Sequence, residues 1–306
     1  MLIRIGQRSF PAEHLDKLYF PEDGITKRML MQYYEGIAYF LLPPIKNRPL
    51  MMHRFPLGIH EQNFYQKEVP DYFPSWIATQ DIKKKTQPGS TRTLLCNNTA
   101  TLVYLATQGC ITLHRWLSTC SSLNYPDCMI FDIDPPHHLP VDFQLIGDIA
   151  RTTKAILFDN KLSSYVMTTG SRGVHVMVPL APHASFAQVR TSARAIAEQV
   201  VHQHPHDATL SSSKKHRGNK ILIDIMRNSY GATAVAPYAL RALPTAPVAT
   251  PIDWSELNTS VHSAQAYTLR TIGERLQKVG DVWQDMHHTH HKLPSISHGR
   301  KTSLTY

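Results

Sequence analysis

Three apolar runs in the middle of the chain are each interrupted by charge or hydroxyl, and they restrict the fold more than any other feature. CMIFDID (128–134), YVMTTGSRGVHVMVPL (165–180) and KILIDIM (220–226) have the length, branching and alternation of strands. Two stretches of helical period lie between them. One, from about Val141 to Phe158, groups Leu145, Ile149 and Ile156; the other, from about Ser185 to Gln203, groups Phe186, Val189, Ala193, Ile196 and Val200. Strands alternating with helices and hairpins predict a mixed α/β (α+β) fold around a central sheet, not a bundle or sandwich. Upstream, Leu30, Tyr33, Tyr34, Ile37 and Leu41 predict a helix over Thr26–Leu42, stopped by Pro43-Pro44. A strand over Leu50–Phe55, a helix over Asn98–Gln108 and the short run ITLHRW follow. The basic run 82–93 reads as an exposed loop or hairpin.

With 306 residues, 42% of them apolar, the chain can bury a large core. We expect a domain over 1–285 and a polar, mobile tail over 286–306, so that MHHTHHK (286–292) is a solvated segment and not a metal site. The net charge of +9 points to a polyanionic partner, nucleic acid before membrane. Cys96, Cys110, Cys120 and Cys128 show no CxxC spacing, so neither a zinc site nor a disulfide framework is expected. No apolar leader or membrane-length run is present in the sequence, which predicts a reduced, cytoplasmic protein.

Asp132 and Asp134 sit two positions apart, so on a strand both carboxylates leave one face. Two anions that close repel unless a cation lies between them. Mg²⁺ or Mn²⁺ takes such hard oxygen ligands and shares them with phosphates. Taken alone, the pair also fits a solvated couple capping a turn before Pro135. In KILIDIM, Ile221, Ile223 and Ile225 share a face and leave Asp224 on the other, where an acid needs a metal or a basic partner such as Arg217 or Arg227. Three convergent carboxylates suit two metals, one for a 3′-hydroxyl and one for a triphosphate and its leaving pyrophosphate. The turn from Thr169 to Gly173 offers two glycines, two hydroxyls and the Arg172 guanidinium to phosphate oxygens. His175 points away from Val174, Val176 and Val178, where it can donate to a triphosphate or serve structure alone. The spacing is neither a Walker A loop nor a nucleophile elbow.

FDIDP, TTGSRGVHV and ILIDIMRN follow one another as in archaeo-eukaryotic primase-type polymerases. With LYFPEDGITK, HRFPLGIHEQNFYQK, FPSWI and RNSYGATAVAPYALRALPTAPVATPIDWSEL, the chain from about Lys17 to Trp254 resembles the polymerase domain of DNA ligase D. The resemblance implies a primase-polymerase-like catalytic core whose central sheet carries the metal-binding carboxylates. It implies template-dependent nucleotide addition that fills gaps and extends ends in non-homologous end joining, with ribonucleotides favoured. By the same resemblance Asp132, Asp134 and Asp224 are the catalytic metal ligands. Thr169, Ser171, Arg172 and His175 form the triphosphate segment, and Arg217 and Arg241 add basic contacts. His114 lies near the nucleotide sugar or template, Phe64 or Tyr65 is the platform for the base, and Arg54 is a basic residue nearby. Lys17 and Lys27 form the pocket for a downstream 5′-phosphate. Arg172 stands where members of the family often carry lysine or a small residue.

The partners expected are DNA ends and gapped DNA with a 5′-phosphate, NTPs or dNTPs, and a nucleoid setting. Because 306 residues leave no room for ligase or phosphoesterase sequence, a separate ligase and a Ku-type end-binding protein are also expected. Three rivals stand beside this reading. A primase would start strands without a primer. A silent DNA-end-binding subunit would have no need of three carboxylates and His175. A DxD glycosyltransferase leaves Asp224 and the basic loops unexplained.

Overall fold

The structure is a computed structural model and describes residues 1–84 and 88–293. Two small hairpins open the chain, β1 (Leu2–Ile5) with β2 (Arg8–Pro11) and β3 (Leu18–Phe20) with β4 (Ile25–Thr26), followed by α1 (Lys27–Gly36) and α2 (Ala38–Ile45). Then come β5 (Leu50–Arg54), β6 (Phe64–Gln66), the hairpin β7 (Thr79–Lys83) with β8 (Ser90–Leu94), α3 (Thr99–Thr107) and β9 (Cys110–Trp116). The second half runs β10 (Cys128–Asp134), α4 (Phe143–Asp159), β11 (Tyr165–Thr168), β12 (Val174–Pro179), α5 (Phe186–Gln203) and β13 (Ala208–Thr209). It closes with α6 (Lys214–Arg217), β14 (Ile221–Asp224), β15 (Thr233–Val235), β16 (Pro251–Ile252) and α7 (Ile272–Val279).

Local chemistry sets the helix starts. Asn98, Asp142 and Ser185 each accept a hydrogen bond from the backbone N–H three residues on, and Ser185 with Gln188 completes a capping box. The helix expected over Thr26–Leu42 is two. Gly36, a poor helix former, ends α1, and Ile37 is at once its C-cap and the N-cap of α2. Pro43 and Pro44 lie inside the last turn of α2 instead of stopping the chain before it, because buried Leu41 and Ile45 hold that turn in place. The strand expected over 220–226 ends at Asp224, and a 3-10 turn, Met226–Asn228, follows.

Six strands form the main sheet in the order β13-β14-β10-β12-β11-β16, antiparallel except between β13 and β14. On one face Phe131, Ile133, Val174 and Val176 pack against Ile146 and Ile149 of α4 and Val189, Ala193 and Ile196 of α5. The alternating residues Ile130 and Met177 face the other way, into a second core. That core also holds α1, α3 and a four-stranded sheet in the order β15-β9-β5-β6. Asp132 and His175 share the second parity, so they look toward the four-stranded sheet.

Of the basic run 82–93, Ile82 and Lys83 end β7 and residues 90–93 belong to β8, while residues 85–87 lie outside the described residues. The four cysteines are free, and Cys96, Cys110 and Cys128 are buried. Among the described residues no helix is long and apolar enough to cross a membrane. The first part of the segment expected as a tail, 286–293, is docked on the domain. Met286 and Leu293 pack on the two cores, and Tyr165 Oη bonds Thr289 Oγ1 at 3.2 Å. His291 bridges to Leu180, and its Nε2 accepts from the Ser163 N–H at 3.0 Å. A polar composition hides docking made by a few apolar contacts and by hydrogen bonds of Thr289 and His291. Residues 294–306 lie outside the described residues.

One glycine is dictated by the sheet. A Cβ at Gly173 would lie 2.0 Å from the Ile133 carbonyl oxygen, where β12 meets β10. Gly173→Ala is therefore expected to destabilise by about 3 kcal/mol, the upper end for overpacking. Chemical denaturation checks this; a midpoint within error of wild type would show that the strands separate without cost.

Candidate active site

Pairing register, not sequence distance, assembles the centre. Asp132 on β10 lies opposite Asp224 on β14 on one side and opposite His175 on β12 on the other. The three therefore form a row across adjacent strands. Asp134 follows on the same face, opposite Leu222. Asp132 is buried, with His175 Nε2 3.5 Å from Oδ1 and Arg227 Nε 3.2 Å from Oδ2. Burial pushes its carboxyl up, but His175 and Arg227 outweigh that and bring it down to about 2. Burial and the neighbouring Asp132 charge raise Asp134, against smaller opposing effects of His137, Arg217 and Arg172. Asp224 Oδ1 accepts from the Met226 N–H at 2.7 Å, which starts the 3-10 turn.

That turn carries two residues that sequence reasoning undervalued. Asn228, fully buried, accepts from the Ile130 N–H at 2.9 Å and donates to the Ile130 and Ile225 carbonyls at 2.7 and 3.0 Å. It pins the turn against β10. Arg227 is thereby set on Asp132 and not, as the sequence allowed, in a salt bridge with Asp224. The signal was present as an arginine and an asparagine next to a strand acid, but only register says which acid the arginine meets.

The phosphate-type turn is tied inward. Thr169 Oγ1 donates to the Gly173 carbonyl at 3.0 Å and accepts from the Ser171 and Gly173 N–H groups, both at 3.3 Å. Gly170 has φ +65°, which favours glycine, and Arg241 donates to the Thr169 carbonyl at 2.8 Å. Arg172 spans from the turn to the loop after β10, donating to the carbonyls of Pro136 and Leu139 at 2.8 and 2.7 Å. Arg217 donates to the Asp134 and Lys220 carbonyls at 2.5 and 3.1 Å. Arg172 and Arg217 thus brace the loop beside the carboxylates.

Across from this row stands the four-stranded sheet. Tyr65 stacks on His53, its partner in register, with centroids 3.9 Å apart and 15° between planes. It meets His114 edge-on at 5.9 Å. Tyr65 is 58% exposed, so a large part of the ring is free. Phe64 and Arg54, paired in register, occupy the opposite face. The Arg54 guanidinium is 5.4 Å from the Phe64 ring and bonds the Gln108 carbonyl, Gln66 and Tyr72. Of the two aromatic candidates, strand parity gives Tyr65 to the centre. Arg54 is buried by its internal partners, away from that face. His53 was not foreseen; its alternation with Arg54 is the only trace of it in the sequence.

His114 lies on β9, within the electrostatic reach of Arg241, Arg227 and His175. Burial, then Arg241, His53, Arg227 and His175, pull its ring down to about 3. Its Nε2 and the Nδ1 of His175 are buried without a protein partner. Lys17 and Lys27 lie apart from this centre, at the base of the β3–β4 hairpin. Lys17 Nζ donates to the Pro56 carbonyl at 3.3 Å and Lys27 Nζ to the Glu13 carbonyl at 3.0 Å. Burial and the charge of Lys17 depress Lys27, so the two ammonium groups feel one another.

The donor chemistry of the three carboxylates fits a divalent cation, since Asp132 and Asp134 crowd like charges on hard oxygens. Among the described residues no three metal-ligating groups are drawn into a finished cluster. Arg227 and His175 compensate Asp132 in this arrangement.

A helix-backed antiparallel sheet with acids on adjacent strands, facing a second sheet, defines a primase-polymerase type of core. The chain belongs to the family described as LigD, primase-polymerase domain, which matches residues 26–283. It is 31% identical over 269 residues to the multifunctional non-homologous end joining protein LigD of Mycolicibacterium smegmatis, covering 87% of this chain and 34% of that one. It is 29% identical over 274 residues to the bifunctional LigD of Bacillus subtilis, covering 89% and 43%. The chain thus spans less than half the length of these relatives. Among solved structures, the polymerase domain of Mycobacterium tuberculosis ligase D in complex with DNA shares the fold. Its TM-score is 0.84 at 24% identity, over 93% of this chain and all of that one.

The depressed His114 ring has a measurable consequence. From its ordinary 6.5 down to about 3, the unfolded chain binds a proton that the folded chain refuses. Stability from this residue is full above pH 6.5 and is lost as pH falls toward 3. His114→Gln should flatten the Tm-versus-pH curve in that window, as read by calorimetry. Parallel curves would mean that the folded ring accepts the proton after all.

Proposed function

We propose that the chain is a template-dependent nucleotidyltransferase that fills gaps and extends ends during non-homologous end joining. The observation that carries this reading is the row Asp224, Asp132 and His175 across three paired strands, facing Tyr65 and His114 on the second sheet. Family membership supports it, as do relatives whose names describe end joining. In this reading Asp132, Asp134 and Asp224 hold Mg²⁺ or Mn²⁺, which when bound activates the 3′-hydroxyl and neutralises the triphosphate.

The chain's own groups do the rest. Tyr65 offers its open face to the incoming base, held upright by His53 beneath it. His114 Nε2, unpartnered beside that ring, is the candidate contact for a ribose hydroxyl and would favour ribonucleotides. His175 Nδ1 is the candidate donor to phosphate oxygen, with Arg227 and Arg241 supplying positive charge. Thr169 and Ser171 keep the turn in the shape that presents Arg241, while Arg172 and Arg217 keep the Asp134 loop closed. Joining would be completed by a ligase activity and a Ku-type end-binding protein.

Asp132→Ala or Asp224→Ala is expected to reduce primer extension by at least about a thousandfold, equivalent to about 4 kcal/mol of transition-state stabilisation. Binding to DNA should change little, because the lost anions repel phosphate. Extension within a few-fold of wild type would exclude the carboxylate assignment.

Lys17 and Lys27 are proposed to receive the 5′-phosphate on the far side of a gap. A terminal phosphate carries more charge than a phosphodiester, and two mutually repelling ammonium groups at the start of α1 gain from receiving it. Wild-type protein should bind phosphorylated gapped duplex roughly tenfold or more tightly than the unphosphorylated form, a difference of one charge-assisted bond. The double alanine variant should bind both alike. Full discrimination in that variant would place the pocket elsewhere.

A further inference from the structure

Away from the carboxylates, a partly open cavity of about 130 Å³ lies where α2, the end of β9, the start of β10 and the C-terminal segment meet. Its lining includes Arg48, Arg115, Asp127, Cys128, Trp283 and His290. Two guanidinium groups here share one carboxylate. Arg48 takes both Asp127 oxygens at 2.7 Å, a bidentate pair that neutralises one charge. Arg115, only 3% exposed, is left without a carboxylate of its own among the lining residues. Cys128 does not supply the missing anion, since burial pushes its thiol up despite the pull of Arg115.

Three of the residues that line this cavity each carry a buried N–H donor with no protein acceptor: Nε of Arg48, Nε of Arg115 and Nε1 of Trp283, whose residue is 4% exposed. Nothing in the catalytic reading uses them. Arg115 follows His114 on β9 and so faces away from the Tyr65 side. A buried cation with unmet donors is costly unless an anion compensates it.

We propose that this cavity is a binding site for a small inorganic oxyanion of phosphate size, held by Arg115, Arg48 and Trp283. The cavity volume of about 130 Å³ admits such an ion. Trp283 belongs to the segment that continues into Met286 and His290, so an ion here fastens the C-terminal segment to the end of β9. The assignment is independent of the polymerase reading.

The test titrates inorganic phosphate into the full chain, against chloride at matched ionic strength and without divalent metal. Tm and calorimetric heat are recorded for wild type, Arg115→Met, Trp283→Phe and Arg241→Met. The last variant reports anion binding at the carboxylate centre. A saturable gain in Tm is expected for wild type and Arg241→Met. Affinity should fall by roughly 10–100-fold in Arg115→Met and less in Trp283→Phe, as expected for losing a charged and a neutral donor. In phosphate-free buffer Arg115→Met should be at least as stable as wild type, because an uncompensated buried charge has been removed. If Arg115→Met does not fold, weakened binding in Trp283→Phe carries the test alone. Unchanged affinity in the foldable cavity variants, loss of binding only in Arg241→Met, or no saturable binding by wild type would each overturn the proposal.

Discussion

A buried carboxylate between an imidazole and a guanidinium organises this molecule. Asp132 lies in the middle strand of a sheet, against a core, where an unpaired anion would cost more than any single contact could return. His175 from one neighbouring strand and Arg227 from a turn after the other compensate it. That requirement propagates outward. β12 must approach β10 closely enough that Gly173 has no room for a Cβ, and the turn after β14 must fold back tightly enough for Asn228 to bond β10. The phosphate-type turn, the bracing arginines and the 3-10 turn can all be read as supports for one charge.

The same arrangement explains how the centre can be both stable and reactive. An acid held near pKa 2 stays ionised, while its neighbour Asp134 is raised by the shared field. Such splitting between adjacent carboxyls is common where function requires charge in a confined place. Opposite, His114 is kept neutral by burial and by four surrounding basic groups, so its free nitrogen is a polar contact and not another cation. The two sheets thus present different chemistry: anionic on the strand row, aromatic and neutral around Tyr65.

Much of this was legible beforehand. Strand runs, helix periods and caps were found where local preference and burial agree, as with Asp142 and Ser185. The aspartates were legible because acids inside apolar strands have few stable explanations. Errors fell where local and tertiary terms compete. The helix break at Ile37 follows a weak propensity signal at Gly36, and the segment 286–293 docks through scattered contacts of Met286, Thr289, His291 and Leu293 that composition does not record. Motif proximity does not record strand parity, which puts Arg54 and Phe64 on the face opposite Tyr65.

The sequence by itself determined which residues can be strands, which acids share a face, and the family to which the chain belongs. These depend on period two, on residue chemistry and on motif order, all of them local in the chain. Tertiary structure alone decided that Asp132 sits opposite Asp224 and His175, that Arg227 reaches Asp132, that Tyr65 and not Phe64 faces them, and that Arg115 is buried beside a carboxylate already taken. Each of these is a matter of register or of packing between distant segments. A one-residue slip would reverse every one of the strand assignments without changing any local preference.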